Sequence, residues 1–196
     1  SLIYREVPAI VRQFNVEMPD VDVVLREMSS ADQLNELLRG QIDAGFVNAS
    51  TVPPQLASLP MIEDEFVLCL PEDHPQAQRD TIDLIQLVDE RFVMFSREVA
   101  PANHDNVIAI FSRAGIHPKI AHAARQWLTI VAMVANGLGV SLVPRTLARS
   151  RVHGVRFMRI SGEQVLAPAM LVWNPAYYLP TIRSFIECSE RILNRK

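Results

Sequence analysis

Apolar residues recur with helical spacing near both ends of the chain. They fall at i, i+3, i+4 and i+7 from Val7 to Phe14, which predicts an amphipathic helix that ends at Met18-Pro19-Asp20. A second helix is predicted over Pro180 to Leu193, and Pro180 is compatible with it because the first helical turn tolerates proline. One face of this helix carries Ile182, Phe185, Ile186, Ser189 and Leu193.

Between these two helices, short apolar strands alternate with helices. The predicted strands are Val21 to Arg26, Ile42 to Val47, Phe66 to Leu70, Arg91 to Phe95, Lys119 to Ala123, Val140 to Val143, Val155 to Ile160 and Ala169 to Trp173. The predicted helices are Ser30 to Leu38, opened by a capping box of Ser30 and Gln33, then Leu84 to Val88 with Thr81 as its cap, Asn103 to Ala114, Trp127 to Asn136, and a short helix from Pro144. Such alternation predicts an α/β fold with a largely parallel sheet.

One order of elements occurs twice. Pro19 to Val47 runs through a proline, a strand, a helix, Gly40 and a strand, and Pro118 to Val143 repeats that order with Gly137. The repeat indicates two similar lobes, although unrelated α/β proteins also contain such units.

Composition narrows the class of protein. Hydrophobic residues make up 49% and charged residues 21% of the 196 positions, as in soluble globular proteins. The net charge is -3, so we do not expect this chain to bind nucleic acid by itself. We also expect no membrane helix, no signal peptide and a cytoplasmic location. Because the chain starts without methionine, it is predicted to be part of a longer protein.

The sequence contains no strong catalytic or metal-binding motif, so we expect neither an enzyme nor a cofactor. Gly137-Leu138-Gly139 follows a helix, whereas a dinucleotide-binding loop precedes one. The five histidines lack ligand spacing on one helix face. Cys69 and Cys188 are far apart, and two buried thiols are expected in preference to a disulfide.

Candidate binding residues lie where strands end and helices begin. Ser29 and Ser30 serve either as a helix cap alone or also as a carboxylate site at the helix N-terminus. Arg97, in the loop after a predicted strand, is either an anion clamp or a solvated surface cation. Trp127 either lines a pocket or fills the core.

Three ordered blocks resemble the LysR-type family of bacterial transcription regulators. They are Met18-Pro19-Asp20-Val21-Asp22-Val23 with Leu34 to Phe46, Glu65 to Pro75, and Phe111 to Pro118 with Val134 to Pro144. Each block is weak alone, but together and in order they are specific, and they span essentially the whole chain.

This resemblance implies a periplasmic-binding-protein-like type II fold, with two Rossmann-like lobes joined by two crossing strands. Lobe I is expected over residues 1–65 and 168–196, and lobe II over residues 66–167, with crossings near Phe66 to Leu70 and Ala169 to Trp173. The family's winged helix-turn-helix, which reads DNA, would precede this chain, so DNA would be a partner only through that missing N-terminal domain.

The resemblance also implies an effector site between the lobes and assembly into a homodimer or homotetramer. The implied contacts are Ser1, Leu2, Ser29, Ser30, Ser96, Arg97, Pro101, Ala102, Asn103, Gln126 and Trp127. The effector is expected to be a carboxylate or an aromatic acid. Two positions depart from the family pattern: Asn103 stands where an apolar residue is usual, and Trp127 is bulkier than expected.

Two other functions remain open at this point. A solute-binding protein of a transporter would share the fold and carry a signal peptide or lipid anchor. A hydrolase or lyase would bring a base to a serine, for example His104 to Ser29 or Ser96.

Overall fold

Helices and strands alternate in a computed structural model of the chain, which describes residues 6–49, 51–99, 101–162 and 165–194. The α-helices are α1 (Val7–Glu17), α2 (Ser30–Leu38), α3 (Pro101–Arg113), α4 (Trp127–Ala135) and α5 (Pro180–Leu193). The strands are β1 (Ala44–Val47), β2 (Ala57–Pro60), β3 (Asp64–Pro71), β4 (Thr81–Ile82), β5 (Arg91–Phe95), β6 (Lys119–Ala124), β7 (Ser141–Pro144), β8 (Val155–Ile160), β9 (Leu166–Ala167) and β10 (Met170–Trp173).

Most of the predicted elements are confirmed. β5, β8 and α5 have the predicted bounds, and the predicted short helices occur as 3-10 turns at Leu84–Leu87 and Arg145–Ser150. Thr81 is not the cap of the first of these turns, because it lies in β4. The carboxylate of Asp83 accepts a hydrogen bond from the Ile85 amide instead.

The predicted strand from Val21 to Arg26 is wrong. The segment pairs with no strand in the described part of the chain, and the side chain of Val24 is 80% exposed. β-Branched residues favour a strand only where a neighbouring strand offers hydrogen bonds and a packed face. In the repeated order of elements, this leading strand is therefore present only once, as β6, whereas the helix, glycine and strand occur in both copies.

The expectation of a largely parallel sheet is also wrong. β3 pairs antiparallel with β7, β8 and β9, and β10 pairs antiparallel with β1 and β2. The parallel pairs of strands are β4 with β8 and β5 with β6, and an isolated parallel bridge joins Phe92 of β5 to Val140. Alternating helices and strands predict parallel pairing of successive strands, whereas β3 and β10 pair with strands distant in sequence.

The chain divides into two compact units, Ser1–Glu63 with Pro168–Lys196 (unit 1) and Asp64–Ala167 (unit 2). The lobe boundaries given above stay a prediction. In unit 1, β10 lies between β1 and β2. α1 and α5 pack on one face of this sheet through Phe14 and Phe185, whose rings meet edge to face at 5.1 Å. Leu37 of α2 packs with Val172 in a separate apolar cluster.

In unit 2, β3 is the buried centre of a sheet in the order β4, β8, β3, β7. β5 and β6 form a second, parallel pair. Phe92 of β5 meets Phe111 of α3 edge to face at 4.7 Å, so α3 packs against β5. Within the described residues, no helix is long and apolar enough to cross a membrane.

Candidate functional site

The carboxyl ends of β5 and β6 meet at one edge of unit 2. Phe95 lies opposite Ala124 in the parallel register, and the Ser96 amide donates a hydrogen bond of 2.8 Å to the Ala124 carbonyl. Ser96 and Arg97 lead from β5 towards α3, while Arg125 and Gln126 lead from β6 into α4. The lobe II residues predicted from the sequence are thereby brought together at this edge, where open α/β sheets bind their ligands.

Trp127, the first residue of α4, forms the apolar base of this edge. Its ring centroid lies 4.5 Å from that of Phe95 and 6.5 Å from that of Phe66, and the residue is only 7% exposed. These contacts are those of a core residue, which is one of the two interpretations that the sequence left open. The packing fixes the start of α4 against the end of β5.

Arg97 is paired within its own unit. Its Nε and one terminal nitrogen donate hydrogen bonds of 2.9 Å and 3.2 Å to the two carboxylate oxygens of Asp105. This bidentate pair raises the pKa of the Arg97 guanidinium and lowers the pKa of the Asp105 carboxyl, in each case mainly through the hydrogen bonds. An anion would have to compete with Asp105 for these donors.

Arg125 is a cation at the same edge that the sequence analysis missed. Its side chain is exposed, and no ion pair involving it is found among the described residues. The available signal was its position, since Arg125 stands between the end of a predicted strand and the start of a predicted helix. Unlike the charge of Arg97, the charge of Arg125 is not offset by a paired carboxylate among the described residues.

Asn103, in the first turn of α3, is buried with an unsatisfied acceptor. It is 2% exposed, and its Oδ1 has no hydrogen-bond partner among the described residues. The exposed Pro101 and the half-buried Ala102 precede it at the start of the helix. A buried carbonyl without a donor is rare in native structures and calls for an explanation.

The two serines of unit 1 have structural roles. Ser29 is the N-cap of α2, with its Oγ accepting a hydrogen bond of 3.1 Å from the Asp32 amide and donating one of 2.7 Å to the Asp32 carboxylate. The predicted capping box was therefore placed one residue late, because Ser29 has the extended backbone of a cap and Ser30 is already helical. The Ser30 Oγ accepts a hydrogen bond from the Asn48 amide.

Other predicted features have less to do with binding. Ser1 and Leu2 lie outside the described residues. Cys69 and Cys188 are free and buried, as predicted. No group of three or more histidine, cysteine or acidic residues suited to a metal ion occurs in the described ranges. His104 contacts its neighbour Asp105, with Nδ1 3.4 Å from a carboxylate oxygen.

Comparisons with known proteins identify the family of this chain. Residues 1–193 match the family model described as the LysR substrate binding domain. The chain is 28% identical over 183 residues to the uncharacterized regulator YnfL of Escherichia coli, covering 92% of this chain and 61% of that protein. It is 28% identical over 189 residues to the regulator AlsR of Bacillus subtilis, covering 96% of this chain and 63% of that protein. It thus spans about three fifths of these relatives, which are transcriptional regulators and not enzymes.

Solved structures show the same fold. Full-length CbnR in complex with its target DNA superposes with a TM-score of 0.86 at 27% identity, covering 98% of this chain and 68% of that chain. The BenM effector-binding domain with its effector benzoate superposes with a TM-score of 0.83 at 22% identity, covering 99% of this chain and 88% of that chain. The effector-binding domain of QuiR with shikimate superposes with a TM-score of 0.85 at 22% identity, covering 96% of this chain and 90% of that chain. Since the family model spans nearly the whole chain and the fold matches along its length, the chain belongs to the LysR family as an effector-binding domain of the α/β, periplasmic-binding-protein-like type II fold.

Proposed function

We propose that this domain senses a small carboxylate, which binds at the carboxyl ends of β5 and β6. The observation that carries the proposal is that α3 and α4 both begin just beyond this edge, and that neither has an acidic residue in its first turn. The free backbone N–H groups and the positive end of a helix dipole favour an anion at such a position.

The charges at this edge support the proposal. Arg125 is an exposed cation without a partner in the described part of unit 2, whereas the guanidinium of Arg97 is already held by Asp105. We therefore assign the main attraction of the carboxylate to Arg125 and the helix N-termini. Arg97 contributes to carboxylate binding only when its hydrogen bonds to Asp105 are replaced by hydrogen bonds to the ligand.

The start of α2 is less favourable for a carboxylate. Asp32 places a negative charge in its first turn, and Ser29 already caps the helix. We therefore expect Ser29→Ala to leave the affinity for carboxylates unchanged.

The structural neighbours fit this ligand class, because benzoate and shikimate are both carboxylates. In a longer regulator, the effector would stabilise one conformation of the domain through its differential affinity for the alternatives. We propose that this shift changes the geometry of a homodimer or homotetramer, and thereby the action of an N-terminal DNA-binding domain on cytoplasmic DNA.

Thermal shift and isothermal titration with benzoate, shikimate and the neutral amide benzamide test the ligand class. A ligand at 100 times its Kd raises stability by about 2.7 kcal/mol, or on the order of 5–10 °C for a domain of this size. We expect at least one carboxylate to bind and benzamide to have no effect. Stabilisation by benzamide but by neither carboxylate would contradict the proposal.

Charge variants test the assignment of the cations. Arg125→Gln should weaken carboxylate binding by about tenfold, the effect of one charge-assisted hydrogen bond. Asp105→Asn frees Arg97 and should strengthen binding if Arg97 faces the effector. Arg97→Ala alone leaves Asp105 as an unpaired negative charge, so the Arg97→Ala/Asp105→Asn double variant is the control. Equal affinity in the wild type and Arg125→Gln would remove Arg125 from the site.

A further inference from the structure

The unsatisfied carbonyl of Asn103 restricts the effector further. Asn103 lies in the first turn of α3, where the proposed carboxylate would bind, and it is buried except for 2% of its surface. Its Oδ1 accepts no hydrogen bond from any residue that the structure describes. A buried acceptor without a donor destabilises the unliganded domain, so a ligand that supplies the donor gains affinity.

We propose that the effector is a hydroxylated carboxylate whose hydroxyl donates a hydrogen bond to the Oδ1 of Asn103. The inference rests on the proposed carboxylate function and adds a second recognition element to it. The donor has to be small enough to reach a buried atom. We place it on the same molecule as the carboxylate, because Asn103 and the proposed carboxylate site share the first turn of α3.

A hydroxyl fits this position better than an ammonium group. The N-termini of α3 and α4 carry partial positive charge, and Arg97 and Arg125 add two cations near the same edge. Asp105 neutralises only Arg97, and the Asn103 carbonyl is uncharged. An ammonium would therefore meet a positive potential, whereas a neutral hydroxyl would not.

Asn106 provides a matched control on the same helix. Its Nδ2 is also buried and has no hydrogen-bond partner in the described ranges, but this atom is a donor and lies about one turn further from the helix start. Asn106 as a whole is half-buried, and replacing it with leucine removes this buried donor without removing the acceptor at position 103.

Matched ligand sets test the inference by isothermal titration. The first compares benzoate with the three monohydroxybenzoates, the second compares shikimate with the cyclohexene carboxylate that lacks its hydroxyls, and the third compares propionate, lactate and alanine. In at least one set, we expect the hydroxylated member to bind about tenfold more tightly than its unsubstituted partner. Asn103→Leu should abolish that preference, and Asn106→Leu should retain it.

A measurement without ligand accompanies the titrations. Because leucine is an apolar residue of similar volume, Asn103→Leu should raise the Tm of the unliganded domain by about 2 °C or more. Loss of stability instead would show that the amide is satisfied in the folded protein and would overturn the inference.

The outcomes separate the inference from the proposed function. Equal binding within every matched set, tighter binding of alanine than of lactate, or a hydroxyl preference that survives Asn103→Leu would overturn the inference and leave carboxylate sensing intact. If no carboxylate in the three sets binds, the proposed function fails, and the inference fails with it.

Discussion

Gly139→Ala should destabilise unit 2 strongly, because this glycine allows β5 and β7 to come together. Gly139 has a φ of +143°, and a Cβ added there would overlap the carbonyl oxygen of Arg91 and lie 3.1 Å from its carbonyl carbon. Arg91 belongs to β5, the strand whose end carries Ser96 and Arg97. The obstacle is backbone, so no side-chain movement relieves it.

The magnitude follows from two contributions. A non-glycine residue at this φ costs about 1–3 kcal/mol of backbone strain. The overlap also displaces the hydrogen bonds from the Val140 amide to Arg91 and from the Val93 amide to Val140, now 2.8 Å and 2.9 Å. At about 1 kcal/mol each, their loss brings the total to about 3–5 kcal/mol, a large part of the usual 5–15 kcal/mol of a domain.

Urea unfolding of the wild type, Gly139→Ala and Gly137→Ala measures this difference. Gly137 is the matched control, because its φ of +73° is also left-handed but an added Cβ would meet nothing within 4 Å. We expect Gly137→Ala to lose only about 1–2 kcal/mol, the cost of the left-handed conformation alone. If the two variants lost the same free energy of unfolding, the close approach of the strands would not be the reason for glycine at position 139.

Three further substitutions have defined outcomes. Trp127→Ala should lower the free energy of unfolding by about 3–5 kcal/mol in urea titrations, because it leaves a cavity beside Phe95, whereas an unchanged midpoint would argue against core packing. Ser29→Ala should cost about 1 kcal/mol through loss of the α2 cap, measured by thermal unfolding, and a neutral result would contradict the capping assignment. Burial raises the pKa of Cys69 from 9.0 to about 12, so the folded protein keeps the thiol protonated where the unfolded chain ionises it. The free energy of unfolding is therefore unaffected by this group below pH 9 and falls as the pH rises from 9 towards 12. The pH profile of Cys69→Ala should lack this loss, and coincident slopes above pH 9 would show that the thiol ionises equally in both states.

The sequence predicted elements well where local signals agree. α1 and α5 combine helical spacing of apolar residues with a proline at the start or the end, and α4 ends at a glycine with positive φ. The prediction of a strand over Val21 to Arg26 was wrong, because a strand forms only beside a partner strand and local composition does not reveal whether one is present. The direction of strand pairing failed for the same reason, since β3 and β10 take partners that are distant in sequence.

The site was predictable in position but not in its contacts. Strand ends and helix starts placed Ser96, Arg97 and Asn103 at one edge, as the fold rule requires. The pairing of Arg97 with Asp105 and the unsatisfied carbonyl of Asn103 depend on side-chain positions, and no spacing in the sequence encodes them. Arg125 was overlooked because neighbouring cations look alike until their partners are known.

The place of β10 in unit 1 has a consequence for the order of folding. β10 is the middle strand between β1 and β2, yet it is synthesised only after all of unit 2. Until then, the N-terminal segment has two outer strands without the strand that joins them. Asp64 pairs with Ala167, so a folded unit 2 holds its own ends together and shortens the loop that unit 1 has to close. We expect pulsed hydrogen exchange during refolding to protect the amides of β3 before those of β10, and the reverse order would show that unit 1 does not wait for unit 2.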